Sequence, residues 1–198
     1  MHCACTARTP TKGRGSLMKG RFERLIQQLL GAVTGRSVLA YIDFENISNA
    51  AFEKGCVVDF RALHDLLLQF GPIAFAYVCT PEFLFRDARN AIPDDLNDLG
   101  FEILVCQKDI SDSTKIEDTV DQRIIQHGMR SLELMPYVTD VVVIGNDKHM
   151  KHLLREVSNH GLRFAILGTD RVSGAIKRLV GIENVHPVPL RGKSEGRL

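Results

Sequence analysis

The sequence contains 198 residues, of which 44% are hydrophobic and 25% are charged, a composition typical of one globular domain with short extensions. No apolar run approaches the roughly 18 residues of a membrane-spanning helix, so we expect no membrane partner. The five cysteines are odd in number and form no CxxC pair, which favours a reducing compartment, here taken to be the cytoplasm.

Basic residues are concentrated at the two ends of the chain. Residues 1–36 contain seven Lys and Arg against one Glu, and residues 191–198 contain three against one. The part between them is acidic, because the formal net charge of the whole chain is only +1. A basic arm on an acidic body can attract an anionic polymer such as RNA, but a solvated leader has the same composition.

The chain divides into four parts. We expect residues 1–16 to be a disordered basic leader and residues 17–36 to be an amphipathic helix with a linker. Residues 37–190 are expected to form one folded domain, and residues 191–198 a basic tail.

The hydrophobic pattern predicts that strands and helices alternate along the chain. Five apolar runs are predicted to be buried strands, at residues 37–43, 73–79, 101–107, 138–145 and 163–168. Helices are predicted at residues 17–31, 59–71, 81–98, 117–133, 148–160 and 172–180, and a polar loop at 109–115. A break is expected in the helix at 81–98 near Pro93.

This alternation defines the expected fold class. Strands that are apolar throughout favour a mainly parallel sheet covered on both faces, here with five or six strands. Right-handed crossovers then give a doubly wound, three-layer α/β/α sandwich. In such folds the functional site lies beyond the carboxyl ends of the strands, where the strand order reverses.

Acidic residues are placed where this site is expected. Asp43 ends the first strand, and Asp147 follows the fourth. Asp118 and Asp121 share one face of the first turn of the helix at 117–133. If the first and fourth strands are neighbours, these carboxylates converge and repel each other unless a cation neutralises them. Oxygen ligands suit Mg²⁺ or Mn²⁺, and such a metal can activate water and polarise a phosphodiester.

A structural role is the alternative for each aspartate. Aspartate commonly caps a helix N-terminus, where it also interacts favourably with the helix dipole. Capping is the simpler role for Asp118 and an equally good one for Asp147. Asp43 is harder to explain in this way, because a charge that ends so apolar a strand needs a partner.

Three motifs resemble those of the NYN domain family, a branch of the PIN-like nucleases. YIDFENIS (41–48) looks like its first-strand motif with the I-D-x-x-N core, TVDQRIIQHGM (119–129) resembles its V-D-x-x-L helix motif, and IGNDKHMKHLLREVSNHG (144–161) is similar to its S-G-D-S-D-F motif. The resemblance implies a metal-dependent ribonuclease with acidic residues around Mg²⁺ or Mn²⁺. Carried over residue by residue, it implies site roles for Asp43, Asn46, Asp121 and Asp147, with Asp118 as an alternative match under a three-residue shift.

Three positions depart from those motifs. His149 stands in place of the second acidic residue after the fourth strand, His127 in place of a later helix aspartate, and Asn146 in place of a glycine. His149 can bind Mn²⁺ as a neutral imidazole, can mark a weakened site, or can be an ordinary surface histidine.

The leading hypothesis is a ribonuclease in which Asp43, Asp121 and Asp147 hold the metal directly or through water. Asn46 would orient Asp43 or a bound water, and Lys115 or Lys148 could contact phosphate. A second hypothesis is a non-catalytic RNA-binding or regulatory module. A third is a nucleotide-binding or phospho-acceptor domain, which the lack of G-x-G-x-x-G and P-loop motifs weakens. RNA is the expected partner, and self-association into a homo-oligomer is left open.

Overall fold

The computed structural model describes residues 22, 25–26, 29–31, 33–82, 96–106 and 119–192. Its strands are β1 (Val38–Asp43), β2 (Cys56–Val58), β3 (Ile73–Pro81), β4 (Phe101–Cys106), β5 (Asp140–Ile144), β6 (Arg163–Gly168), β7 (Val185–Pro187) and β8 (Leu190–Gly192). The α-helices are α1 (Phe44–Glu53), α2 (Phe60–Phe70), α3 (Thr119–Leu134), α4 (Lys151–Asn159) and α5 (Gly174–Val180), and two 3₁₀ helices span Lys148–Met150 and Ile182–Asn184.

Several of the predicted segments lie partly or wholly outside the described residues. The described residues between 22 and 34 are helical, as expected for the N-terminal helix. Most of the predicted helix at 81–98 and the whole loop at 109–115 lie outside the described residues, as do Lys115 and Asp118. Strand β8 continues two residues past the expected domain boundary at 190.

The main sheet confirms the predicted fold class. Its six strands are all parallel and follow the order β4-β3-β1-β5-β6-β7. Residues of α1 and α2 pack in one hydrophobic core and residues of α3, α4 and α5 in another, on opposite faces of the sheet. The fold is therefore a doubly wound three-layer α/β/α sandwich. A separate antiparallel pair joins β2 to β8.

Strand β1 contributes side chains to both hydrophobic cores, and every residue in it is buried. Val38, Ala40 and Ile42 point into the core beneath α1 and α2, whereas Leu39 and Tyr41 point into the core beneath α3 and α4. A strand buried on both faces favours apolar residues, so residues 38–42 are continuously hydrophobic rather than alternating, and the aspartate stands only at the end.

The strand order reverses between β1 and β5. From β1 the chain adds β3 and β4 on one side, then crosses to add β5, β6 and β7 on the other. The pairing of β1 with β5 ends with Ile42 opposite Ile144, so Asp43 and the segment after β5 lie at the same edge of the sheet. The topology thus creates a crevice at the carboxyl ends of these two strands.

An ionic cluster closes the opposite edge of the sheet. Asp140 at the start of β5 accepts hydrogen bonds from Arg163 at 2.8 Å, Arg36 at 2.9 Å and Thr139 at 2.7 Å. Burial acts to raise the pKa of the Asp140 carboxyl, but the hydrogen bonds from Arg163, Arg36 and Thr139 outweigh it and hold that pKa below its ordinary value. This cluster fixes the linker before β1 to strands β5 and β6.

The sequence did not predict helix α1 or the three short strands β2, β7 and β8. Helix α1 begins directly after β1, with Asp43 as its N-cap, and it buries Phe44, Ile47 and Ala51 against the sheet. Asparagine and serine have low helix propensity, but tertiary burial of one helix face overrides it here. Each of the missed strands has three residues, too few to show a period.

Among the described residues, no helix is both long enough and apolar enough to cross a membrane.

Candidate functional site

Two of the predicted aspartates and His149 meet at the crevice between β1 and β5. Among the described residues, Asp121, Asp147 and His149 each place a potential ligand atom within 4.8 Å of the others. Asp121 is in the first turn of α3, and Asp147 caps the 3₁₀ helix that contains His149. We refer to Asp121, Asp147 and His149 as the ligand cluster.

Asp147 is positioned by the end of β5. After Ile144 the chain leaves the sheet through Gly145 and Asn146, and Asp147 has extended backbone angles. Its Oδ1 accepts a hydrogen bond of 2.7 Å from the backbone N–H of His149, which starts a tight 3₁₀ turn instead of the α-helix predicted from residue 148. Asp147 therefore caps a turn and also belongs to the ligand cluster.

His149 lies between the two carboxylates. Its Nδ1 is 3.1 Å from Asp121 Oδ2 and 3.3 Å from Asp147 Oδ1, so a single nitrogen faces both acids. Asp121 is 2% exposed, whereas half of the His149 side chain is exposed. The cluster thus combines one buried carboxylate with a solvent-facing imidazole, a donor set of two oxygen residues and one nitrogen residue that suits Mn²⁺ better than Mg²⁺.

Asp43 lies on the neighbouring strand and is not one of the three cluster residues. It is 4% exposed, and its Oδ1 accepts a hydrogen bond of 3.1 Å from the backbone N–H of Asn46, which caps α1. A Cβ placed on Gly145 would lie 3.6 Å from Asp43 Cβ, so Asp43 is next to the segment that leads from β5 to Asp147. The structure brings Asp121 and Asp147 together and places Asp43 next to the segment that leads to Asp147.

Asn46 contacts both Asp43 and the segment after β5. Its backbone N–H donates to the Asp43 carboxylate, and its side-chain Oδ1 accepts a hydrogen bond of 3.0 Å from the backbone N–H of Asn146. The side chain therefore holds the backbone just before Asp147.

Asn146 is a residue whose importance the sequence did not reveal. Its Oδ1 accepts hydrogen bonds from the backbone N–H of Thr169 at 2.8 Å and the Thr169 hydroxyl at 3.2 Å, and its carbonyl accepts one from Ser173 N–H at 3.1 Å. Asn146 thus joins the end of β5 to the loop after β6. The signal available in the sequence was an amide in place of the glycine of the motif that it resembles.

A glycine at the end of β6 permits this close packing. A Cβ on Gly168 would overlap Val172 Cγ2 and would lie 2.9 Å from Asn146 Oδ1. Both contacts are closer than real Cβ atoms show, so a larger residue would force the loop after β6 or the Asn146 side chain to shift.

His127 does not lie in the ligand cluster. Its Nδ1 shares a hydrogen bond of 2.8 Å with the Tyr41 hydroxyl, and its ring packs edge-on against Tyr77 at 4.7 Å. Burial lowers the pKa of His127 and raises that of Tyr41, so the uncharged forms of both are favoured. His127 is part of the packing between α3 and the sheet.

Two of the described cations, Lys148 and Arg171, lie near the site. Both line a cleft of about 440 Å³ that also includes Asp147. The sequence suggests Lys148 as a phosphate contact, but it gives no signal for Arg171, because nothing in it places the loop after β6 beside β5.

These observations define a doubly wound α/β domain of the PIN-like type, with acidic residues at the switch point of its sheet. The sequence agrees with that class, since residues 37–180 match the family of the NYN domain. The chain belongs to the NYN domain family.

A solved structure has the same fold. A protein of unknown function from Vibrio parahaemolyticus, VPA0982, superposes with a TM-score of 0.65 and 15% sequence identity, over 78% of this chain and 93% of that chain. No match was found among curated proteins.

Proposed function

We propose that the protein is a metal-dependent ribonuclease that hydrolyses phosphodiester bonds of RNA. The observation that carries this proposal is the meeting of Asp121, Asp147 and His149 within 4.8 Å at the switch point of an NYN domain. Carboxylates gathered in a crevice favour a bound cation, and a divalent ion is the cofactor that such a donor set suits.

The residues present fit Mn²⁺ or Mg²⁺. Asp121 and Asp147 would bind the ion directly, and Asp43, on the next strand, would act through a bound water. Asp118, which lies outside the described residues, is an alternative ligand. The ion would supply a polarised phosphodiester and an activated water when bound. Asn46 would support the site by holding the backbone that presents Asp147.

A second candidate function has its own support. The Nδ1 of His149 occupies the space between the two carboxylates, and an N–H at that point donates to one oxygen of each without any metal. A domain in which the imidazole takes this place of a metal could bind RNA without cleaving it and act as a regulatory module.

Cleavage and metal binding separate the two functions. A labelled RNA oligonucleotide is incubated with the protein in Mn²⁺, in Mg²⁺ and in excess chelator, and Mn²⁺ binding is measured by calorimetry. Metal-dependent cleavage that Asp121→Asn and Asp147→Asn both abolish supports the ribonuclease. RNA binding without cleavage supports the regulatory module, and absence of both overturns the two together.

We also propose a cytoplasmic location for the protein. Cys56, Cys79 and Cys106 are free thiols in the described part of the chain, which fits a reducing compartment.

A further inference from the structure

A polar cleft opens beside the ligand cluster and shares Asp147 with it. Its volume is about 440 Å³, within the range of sites that hold a small organic ligand. It lies between α1, the segment after β5 and the loop after β6, and the residues that matter here are Asn46, Asn49, Asp147, Lys148, Arg171 and Ser173.

The chemistry of this cleft suits a nucleotide. Lys148 and Arg171 can pair with a phosphate, and the planar guanidinium of Arg171 can do so through two parallel hydrogen bonds. Asn49, which is exposed on α1, offers both a donor and an acceptor on one amide, the pattern that recognises the edge of a base.

Arg171 is held by an ion pair that can open. Its guanidinium contacts the carboxylate of Glu53 at the end of α1, and the two side chains are 56% and 51% exposed. Exposed ion pairs contribute little to stability and exchange readily with another anion. The neighbouring pair Lys54–Asp170, at 2.6 Å, joins the same loop to the same helix end but lies outside the cleft.

We propose that this cleft binds the nucleotide next to the scissile phosphate, with Arg171 exchanging Glu53 for an RNA phosphate and Asn49 contacting the base. This inference rests on the proposed function, since it takes RNA as the ligand and the ligand cluster as the reaction centre. Arg171 and Asn49 act in binding, and Glu53 competes with RNA for Arg171.

The Arg171–Glu53 ion pair can be tested with two substitutions whose expected effects on RNA affinity are opposite in sign. Arg171→Gln and Glu53→Gln both break it, so a purely structural pair predicts the same effect for both changes. Competition predicts that Arg171→Gln weakens RNA binding about three- to tenfold. The slope of log affinity against log salt concentration should also become less steep by roughly one. Glu53→Gln frees Arg171 and is expected to tighten binding about two- to fivefold.

The affinity is measured with the full chain and a fluorescent RNA oligonucleotide, by anisotropy in excess chelator, where no metal-dependent cleavage can occur. Asp170→Asn removes the same charge and breaks the neighbouring ion pair, so it controls for net charge and should tighten binding less than Glu53→Gln. Arg130→Gln, on an exposed position of α3, controls for loss of an arginine and should change nothing. Arg171→Lys keeps the charge without the two-pronged geometry and should be intermediate.

Parallel effects of Arg171→Gln and Glu53→Gln, or equal effects of Glu53→Gln and Asp170→Asn, would overturn the role of Arg171. For the base contact, Asn49→Ala is compared on four homopolymeric oligonucleotides. A loss that differs between bases supports the contact, and a uniform change overturns it. RNA affinity is measured without cleavage, so the two proposals can fail separately. If the variants differ in affinity as expected but the protein cleaves no RNA, only the ribonuclease proposal is contradicted. If the protein cleaves RNA but the variants do not differ in affinity, only the proposed nucleotide site is contradicted.

Discussion

The side-chain Oδ1 of Asn46 accepts a hydrogen bond of 3.0 Å from the backbone N–H of Asn146, and so links α1 to the end of β5. These residues are a hundred positions apart in sequence and meet only because β1 and β5 are adjacent strands. Through Asn146 the link reaches Thr169 and the loop after β6. The backbone that presents Asp147 is thereby fixed from two sides.

Substitution of Asn46 tests this link. Asn46→Ala leaves the partly buried N–H of Asn146 without its acceptor and should lower the free energy of unfolding by about 1–2 kcal/mol. Asn46→Asp keeps an acceptor oxygen and should recover most of that loss. Urea denaturation gives the values. Asn49→Ala, one turn along the same helix and exposed, should stay within about 0.5 kcal/mol of the wild type. An equal loss for Asn46→Ala and Asn49→Ala would contradict the role of the link.

Asp43→Asn separates catalysis from capping. Asparagine caps a helix as well as aspartate does, so the hydrogen bond from Asn46 N–H can be kept and the melting temperature should change little. RNA cleavage should nevertheless fall to a small fraction of the wild-type rate, because the negative charge beside the ligand cluster is lost.

A matched control is available at α2. Asp59 caps that helix through a hydrogen bond of 3.1 Å from Ala62 N–H, with the same geometry as Asp43. Asp59→Asn should therefore have the same small effect on stability and none on cleavage. Full activity of the Asp43→Asn variant would show that Asp43 is not part of the site. A large drop in the melting temperature of that variant would show instead that Asp43 has a structural role.

The parallel sheet could be inferred from sequence because its cause is local. Strands β1, β3 and β5 are buried along nearly their whole length, and their sequences are almost continuously apolar. The strand order was not predicted, because it depends on contacts between distant segments. The expectation that Asp121 and Asp147 meet therefore rested on an assumed adjacency of the first and fourth strands and on the resemblance to the NYN motifs.

The remaining parts of the site depend on contacts between distant segments. The orientation of His149 toward Asp121 results from the 3₁₀ turn that Asp147 caps, which has no periodic signal. Arg171 reaches the cleft only because Gly168 allows the loop after β6 to approach Asn146. Neither the orientation of His149 nor the position of Arg171 can be deduced from the spacing of residues in the chain.

Asp140 is predicted to stabilise the fold in a pH-dependent way. Its pKa is lower in the folded protein than in the unfolded chain, so its contribution is complete above the ordinary pKa of about 3.9 and is lost as the pH falls through the folded-state pKa. Asp140→Asn should cost about 1–3 kcal/mol at pH 7, since both arginines are partly exposed and the solvent weakens their pairing.

The measurement is urea denaturation of both proteins between pH 7 and pH 3. The advantage of the wild type over Asp140→Asn should shrink as the pH falls below the ordinary pKa of the carboxyl, because the unfolded chain takes up its proton first. A difference in stability that is constant across this range would show that the charge of Asp140 is not what holds Arg36 and Arg163.

The last prediction concerns His149, which stands where the family has an acidic residue. If it belongs to the site, His149→Asp replaces an imidazole by a hard oxygen ligand and should shift the preference for activity from Mn²⁺ toward Mg²⁺. The same change places three carboxylates together, so the metal-free protein should melt at a lower temperature and gain more from added Mg²⁺ than the wild type does. His152→Asp, at an exposed position of α4, introduces the same charge outside the ligand cluster and should change neither property.

Thermal melts with and without each metal, together with RNA cleavage assays, test the role of His149. A wild type that is inactive in both metals and a His149→Asp variant that gains cleavage would identify His149 as the cause of a weakened site. Identical behaviour of His149→Asp and His152→Asp would place the imidazole outside the chemistry, despite its contact with both carboxylates.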